Sequence, residues 1–327
     1  MKAARAVTQN YDDPLSCLEV TEVPVPEPAE GWVRVQVKAA SLNQHDLWTL
    51  RGVGHDPKNI PITLGCDVAG VTEDGREVIG HPIIADPDAG AGDETLDPAR
   101  RLFSEAHDGG FAEYMVMPAR NLIDKPKHLS FAEAACLPVA WGTAFRMLFG
   151  RGQLKAGDRI LVQGASGGVA SALIALAAAA GLRVYTTTRF GAEDAETKIA
   201  YAKELGAHHV FDSGARLPER VDAVLETVGS ATWAHSLRCL RPGGAVIIAG
   251  ATTGGDVSAE LNRVFYQQLQ VIGSTGSTLA ESQAMARFVE DNKLVPRVHR
   301  EIPLEKIHEG FQQMLDGDLI GKIVVTF

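Results

Sequence analysis

The sequence predicts an α/β fold, a doubly wound parallel sheet joined to an irregular β module. Three features point there. Residues 158–189 run strand, glycine turn, Ala-rich helix and strand within about thirty residues, the size of one βαβ unit. Helical and strand patterns go on alternating after it, as far as residue 273. Residues 1–85 instead carry strand patterns punctuated by Pro and Gly, among them Pro24, Pro26, Pro28 and Gly31.

The βαβ unit is the most informative stretch. Ile160-Leu161-Val162-Gln163 are β-formers that run into the turn Gly164-Ala165-Ser166-Gly167-Gly168. An apolar helix follows from Val169 to Ala180, Gly181 breaks it, and Arg183–Thr188 reads as the second strand. Glycines in such a turn let the backbone approach a pyrophosphate, and the helix N-terminus meets the phosphate charge. The first glycine spacing is G-x-x-G, and Ala170 stands where a third glycine often does. The alternative is a turn that binds nothing; the strand–turn–helix context favours a phosphate cradle.

A chain of 327 residues suggests two domains, and 45% apolar residues are enough for large cores. The net charge of -10 argues against nucleic acid or an anionic membrane as the main partner. Cys17, Cys66, Cys136 and Cys239 are far apart and read as reduced thiols, so a cytoplasmic setting is expected. No apolar leader follows Met1, and the longest apolar run, 169–182, is too short to cross a bilayer.

In chain order, Leu18–Val25 and Trp32–Val37 are expected strands, the second alternating with period two. Ala39–Trp48 is the most chemical stretch of the β module, and Leu64–Gly70 is a tight approach into a strand. Residues 86–108 mix Asp and Glu with Gly and Pro without calcium-loop spacing, which predicts a solvated surface loop. Ser130-Phe131-Ala132-Glu133 is a capping box opening a helix towards Pro138, with a second from Gly142 to Leu148. A helix from Lys198 to Leu205 ends at Gly206. Strands are expected at 209–211, 221–226 and 245–249, a helix at 233–240, and the last strand of the sheet at 271–273. Residues 280–327 carry two amphipathic helices and a terminal strand, Lys322 to Phe327, which returns to the first domain.

At this point a family resemblance emerges along nearly the whole chain. Gly164–Ala170, Lys203-Glu204-Leu205-Gly206-Ala207, Glu226-Thr227-Val228-Gly229, Leu240-Arg241-Pro242-Gly243-Gly244 and Gly321-Lys322-Ile323-Val324-Val325 together resemble the medium-chain dehydrogenase/reductase superfamily. The resemblance implies a GroES-like catalytic domain, 1–125 and 277–327, split around a Rossmann domain, 126–276, with the active site in a cleft between them. Zinc alcohol dehydrogenases of this superfamily ligate a catalytic zinc through Cys, His and a further Cys or acidic residue. Asn43 falls at the first of those positions and Cys66 at the His. An amide is a poor zinc ligand, and the four cysteines of the structural-zinc lobe are missing. Asn43-Gln44-His45-Asp46 instead looks like the N-x-x-D of the zinc-free quinone oxidoreductases, so no metal is expected.

The resemblance implies catalytic roles for Asn43, Asp46 and Trp48. Without a metal, a substrate carbonyl must be polarised by hydrogen bonds. Asn43 is a candidate donor, or else a turn residue satisfying nearby backbone. Asp46 is expected to orient its neighbours, and Trp48 to form a pocket wall or simply core. His45 is a proton shuttle or a surface histidine. Cofactor contacts are expected from Thr143, from Gly164, Ala165, Ser166, Gly167, Gly168 and Val169, and from Thr227 and Val228. Gly250, Ala251 and Thr252 complete that edge, where open α/β sheets bind ligands. Lys322 matches a basic position that meets the pyrophosphate in relatives, or else is a surface lysine.

The cofactor is expected to be NADPH. An NAD-binding unit of this type carries an Asp or Glu at the end of its second strand. Here the strand ends Thr186-Thr187-Thr188-Arg189. Thr187 and Thr188 offer hydroxyls, Arg189 a bidentate guanidinium, and Lys198 a second charge for a 2′-phosphate. Glu193, Asp194 and Glu196 compete for Arg189. The expected reaction is hydride transfer from NADPH to a quinone or an α,β-unsaturated carbonyl, without zinc. The alternatives are a zinc-type alcohol dehydrogenase and a nucleotide-binding relative with little turnover. The apolar edge strand around Val271 needs cover, which predicts a homodimer.

Overall fold

A computed structural model describes residues 1–317 and 319–327. The chain forms two compact units, Met1–Val139 with Ser277–Phe327, and Ala140–Gly276.

The first unit is built on antiparallel sheets. The long strand Trp32–Ser41 is its spine, pairing with Asp67–Thr72, Tyr114–Pro118 and the terminal strand Lys322–Thr326. Its length exceeds the expected Trp32–Val37 because, past an irregularity at Lys38, Ala39–Ser41 continue between Asp67–Ala69 and Val324–Thr326. The register sets Ser41 opposite both Asp67 and Val324. The C-terminus thus returns to the first unit, as expected. Val35, Val37, Ala40, Leu42, Leu47, Phe111, Met115, Phe311 and Val325 fill the core. Leu18–Glu22, Lys2–Ala6 and Ile62–Thr63 make a smaller sheet. The Ser130–Glu133 capping box closes in both directions, at 3.2 and 2.7 Å. It starts only the short helix Phe131–Ala134, which packs on the strands Trp32–Ser41 and Asp67–Thr72. The turns at Leu137–Trp141 and Arg146–Arg151 widen to π-helical form. Pro138 lacks the N–H that a regular α-helix would need there.

Residues 86–108 correct the reading of a solvated loop. Ile83–Ile84 pairs with Arg101–Leu102 to close the segment. Glu94, Thr95 and Asp97 are buried. Glu94 accepts from Arg120 at 2.9 Å and from the Leu279 N–H at 2.5 Å. The acidic residues here act as anchors for backbone and cation, which composition alone does not reveal.

The second unit is a six-stranded parallel sheet. Its order is His209–Asp212, Arg183–Thr188, Arg159–Val162, Val221–Glu226, Leu240–Ile248, Gln270–Gly273. In order of appearance that is 3-2-1-4-5-6, the doubly wound order of dinucleotide-binding sheets, and the order reverses beside Arg159–Val162. The helix Gly168–Ala179 starts one residue earlier than expected. Its residues Ala172, Leu173, Ile174, Leu176 and Ala177 are buried, which accounts for its apolarity all round. The helix Ala195–Glu204 starts three residues before Lys198.

The four cysteines are free and buried. Among the described residues no helix is long and apolar enough to cross a membrane.

Candidate active site

In the first unit, Asn43 ends the spine strand and caps the helix Gln44–Arg51. Asp46, fully buried, accepts the Asn43 N–H at 2.9 Å and the Gly65 N–H at 3.0 Å. It therefore fixes the start of the helix to the loop before the strand Asp67–Thr72, an orienting role. Burial pushes its carboxyl up to about 6, against the pull of His45 and the two N–H bonds. Gly65 sits at φ +98, and a Cβ there would lie 2.8 Å from the Phe111 nitrogen, so only glycine fits this approach.

The Asn43 side chain is committed within the protein. Its Nδ2 donates to Asp67 Oδ2 at 2.8 Å and to Ser41 O at 3.3 Å, and its Oδ1 accepts from Lys322 Nζ. Its NH₂ donors are thus already engaged by Asp67 and Ser41. Asp67 gathers three further partners: Ser41 Oγ at 2.6 Å, Val139 N at 2.7 Å and Lys322 Nζ at 3.4 Å. Lys322 is buried beside Asn43 and Asp67, which corrects the alternative of a surface lysine. Its ammonium is engaged by these two side chains rather than held free for a pyrophosphate. Trp48 is 37% exposed, which excludes the core alternative.

His45 is half-buried, not a surface residue. Its Nε2 lies 2.8 Å from Glu105 Oε1, and its Nδ1 lies 3.3 Å from Ser104 Oγ and 3.8 Å from Cys66 Sγ. Burial pushes the Cys66 thiol well above its ordinary value, with Asp46 and Asp67 adding to the rise. Candidate ligand atoms of His45, Asp46 and Cys66 lie within 4.8 Å of one another. Sequence reasoning missed Glu105, because nothing in the spacing joins it to His45.

In the second unit, the expected cofactor residues gather along the carboxyl edge of the sheet. Gly164, at φ +87, follows Arg159–Val162, and a Cβ added at Gly164 or Gly167 would meet no atom within 4 Å. That open space above the turn, facing the free N–H groups of the helix Gly168–Ala179, suits a pyrophosphate. Thr187 and Thr188 end the neighbouring strand, both buried. The Thr187 hydroxyl accepts from Gly164 N at 3.2 Å and donates to Gln163 Oε1 at 2.9 Å, so it shapes the turn. Arg189, just beyond, is exposed and makes no ion pair among the described residues. Lys198 instead pairs with Asp194 at 2.5 Å, one helical turn back, which engages one of the three competitors expected for Arg189 and occupies Lys198 itself.

Thr227 and Val228 follow Val221–Glu226, and Gly250, Ala251 and Thr252 follow Leu240–Ile248. Thr252 N donates to Thr227 O at 3.2 Å, joining the two loops. Glu226 is fully buried and accepts from Val228 N at 2.8 Å, Thr232 Oγ1 at 2.9 Å and Ser236 Oγ at 2.6 Å. It is a second residue whose role the sequence reading missed; a carboxylate ending an apolar strand is the signal. Thr143 is buried in the short helix Gly142–Phe145.

Two family models match: "alcohol dehydrogenase GroES-like domain" over residues 29–127 and "zinc-binding dehydrogenase" over residues 168–291. An acryloyl-coenzyme A reductase of Metallosphaera sedula is 29% identical, covering 94% of this chain and 96% of that one. The solved structure of an NAD-dependent alcohol dehydrogenase matches at TM-score 0.92 and 33% identity, each chain covered in full. A 2-octenoyl-CoA carboxylase reductase in complex with NADP and 2-octenoyl-CoA matches at TM-score 0.87 and 26% identity, covering 99% of this chain and 87% of that one.

The buried Lys322–Asp67 pair generates a stability prediction. Lys322→Met leaves the Asp67 carboxylate buried without its cation and should cost about 3–5 kcal/mol. The double variant with Asp67→Asn should recover much of that loss. Urea unfolding of the four proteins of the cycle measures it, and additive losses would contradict the coupling.

Proposed function

The chain belongs to the medium-chain dehydrogenase/reductase superfamily, and from that premise we propose that it reduces the C=C bond of an α,β-unsaturated carbonyl with NADPH, without zinc. NADPH supplies the hydride. The glycine turn and helix N-terminus hold the pyrophosphate, and Arg189 meets the 2′-phosphate. The acryloyl- and octenoyl-thioester reductases among its relatives support the substrate class. A quinone is the other acceptor of matching electron demand. The NAD-dependent neighbour is the point against NADPH. The carboxylate-free strand end at Thr186–Arg189 and the unpaired guanidinium of Arg189 outweigh it.

The observation that carries zinc independence is the engagement of Asn43 between Lys322 and Asp67. The metal-holding positions implied by the family then offer an amide already bonded on both atoms and a thiol that burial keeps protonated. His45, Asp46 and Cys66 approach one another, yet both Asp46 oxygens accept backbone N–H groups and His45 Nε2 faces Glu105. These donors do not fit a zinc ion, which supports the zinc-free reading over that of a zinc-type alcohol dehydrogenase. The reading of a nucleotide binder with little turnover falls to the assay below.

NADPH oxidation against a panel of enones, enals, enoyl thioesters and quinones tests the proposal. Turnover with an unsaturated carbonyl, unaffected by chelator, is expected. Arg189→Ala should weaken NADPH at least about 10-fold through loss of a charge-assisted contact and leave NADH nearly unchanged. No turnover with any acceptor, or a wild-type preference for NADH, would overturn the assignment.

The assembly we propose is a homodimer. Val271 on the edge strand is 52% exposed, and Leu261, Phe265 and Tyr266 on the helix Leu261–Tyr266 are each more than two-thirds exposed. Apolar surface of this kind on an unpaired strand edge calls for a partner, and a second copy pairing the same strand covers it by twofold symmetry. Light scattering should give twice the 34.9 kDa chain mass; a monomer at micromolar concentration would contradict it.

A further inference from the structure

In a doubly wound sheet a dinucleotide lies across the point where the strand order reverses. In the second unit that point falls between Arg159–Val162 and Val221–Glu226. The ladder joining these strands reaches Gln163, whose N–H donates to Leu225 O at 3.2 Å. Past it, side chains make the connection. Gln163 ends an apolar strand yet is buried. Its Oε1 accepts from Thr187 Oγ1 at 2.9 Å, and its Nε2 donates to His235 Nδ1 and to Ser236 Oγ, each at 2.9 Å. The His235 ring hydrogen is thus on Nε2, which donates to Ala215 O at 2.8 Å. Ser236 Oγ donates to Glu226 Oε2 at 2.6 Å, and Glu226 Oε1 accepts the Val228 and Gly229 N–H groups at 2.8 and 3.2 Å. On the other side, Thr187 Oγ1 accepts the Gly164 N–H at 3.2 Å. One line of hydrogen bonds therefore runs from Gly164 through Thr187, Gln163 and Ser236 to Glu226. Every donor along it points towards the carboxylate, so the bonds polarise one another in one sense.

We propose that Gln163 is a positioning residue for NADPH, fixing the glycine turn against the loop 227–229. The inference rests on the reading of this unit as the NADPH-binding one. Being buried, Gln163 acts through Thr187 and Ser236 rather than by touching the cofactor. Strands one to three build one mononucleotide half of such a sheet, and strands four to six build the other. Gly164 and Thr187 belong to the half that takes the adenosine and its phosphates. Glu226, Val228 and Gly229 belong to the half that takes the nicotinamide ribose. A ligand spanning both halves binds at full strength only when they are preset to its length; otherwise part of its binding free energy goes into ordering them.

Each half keeps its own support without Gln163. Thr186 Oγ1 donates to Gly164 O at 2.6 Å, so the turn stays tied to the strand Arg183–Thr188. Thr232 Oγ1 and the two backbone N–H groups stay on Glu226. Loss of the Gln163 amide thus uncouples the halves and leaves each one formed. A ligand confined to the adenosine half should hardly register the loss, whereas the whole dinucleotide should.

The experiment titrates wild type, Gln163→Met, Ser236→Ala and the double variant with NADPH and with 2′,5′-ADP, by isothermal calorimetry. Met keeps the length of Gln and removes its N–H donors and carbonyl acceptor. Gln163→Met should weaken NADPH about 10-fold, the effect of a lost buried hydrogen bond, and 2′,5′-ADP less than about twofold. Ser236→Ala should show the same contrast, and the double variant should lose little more than the larger single loss, because both residues serve one chain. A merely structural role would weaken both ligands alike or leave both unchanged. Either result overturns the proposal, as does a double variant whose losses add. If Gln163→Met does not fold by circular dichroism, the contrast in Ser236→Ala decides on the same terms. A wild type that binds neither ligand overturns the NADPH reading first, and the positioning role with it. A wild type that binds both, with variants that show no contrast, overturns the positioning role alone.

Discussion

The buried charge pair between Lys322 and Asp67 is the constraint on which the first unit depends. Asp67 is fully inaccessible and the Lys322 side chain nearly so. Removing two such charges from water costs several kcal/mol per ion, and attraction offsets that only when the remaining lone pairs and protons are satisfied. They are satisfied here by Ser41, Asn43 and the Val139 N–H. The bonds that achieve this also join the terminal strand, the spine strand and the strand after Cys66. The side chain at the first metal position of the family is thereby turned to a lysine and a carboxylate.

Within each unit the backbone is fixed by polar side chains as well as by packing. Asp46 ties the helix start to Gly65, and Glu226 ties the loop 227–230 to its strand. Thr187 does the same for the glycine turn with a hydroxyl. Each satisfies backbone N–H groups that would otherwise be buried without partners. The effect is a set of rigid loop starts at the ends of strands, the kind of support that an active constellation needs from its scaffold. The space above Gly164 and Gly167 is left open by the same arrangement.

How much of this was legible in the sequence depends on the range of each interaction. The βαβ unit, the Ser130 capping box and the sheet alternation are local patterns, and the structure follows them within a few residues. The edge position of Val271 and the return of the C-terminus were also legible. Contacts between distant residues were not. Lys322 and Asn43 lie 279 residues apart, and His45 and Glu105 lie 60 apart. No periodicity links them. Residues 86–108 show the same limit, since Glu94 and Asp97 carry charges that composition assigns to solvent while the fold turns them inward. Lys198 shows it within one helix: a single turn back, Asp194 takes the charge that a phosphate was expected to meet.

We propose that Asn43, Cys66, Asp67 and Lys322 form a site complete without a metal. X-ray diffraction from crystals grown with added zinc, measured on both sides of the zinc absorption edge, tests it most directly. No anomalous peak is expected between His45 and Cys66, with the Lys322 ammonium on Asn43 and Asp67. A full-occupancy zinc peak ligated by Cys66, with Lys322 displaced, would contradict it.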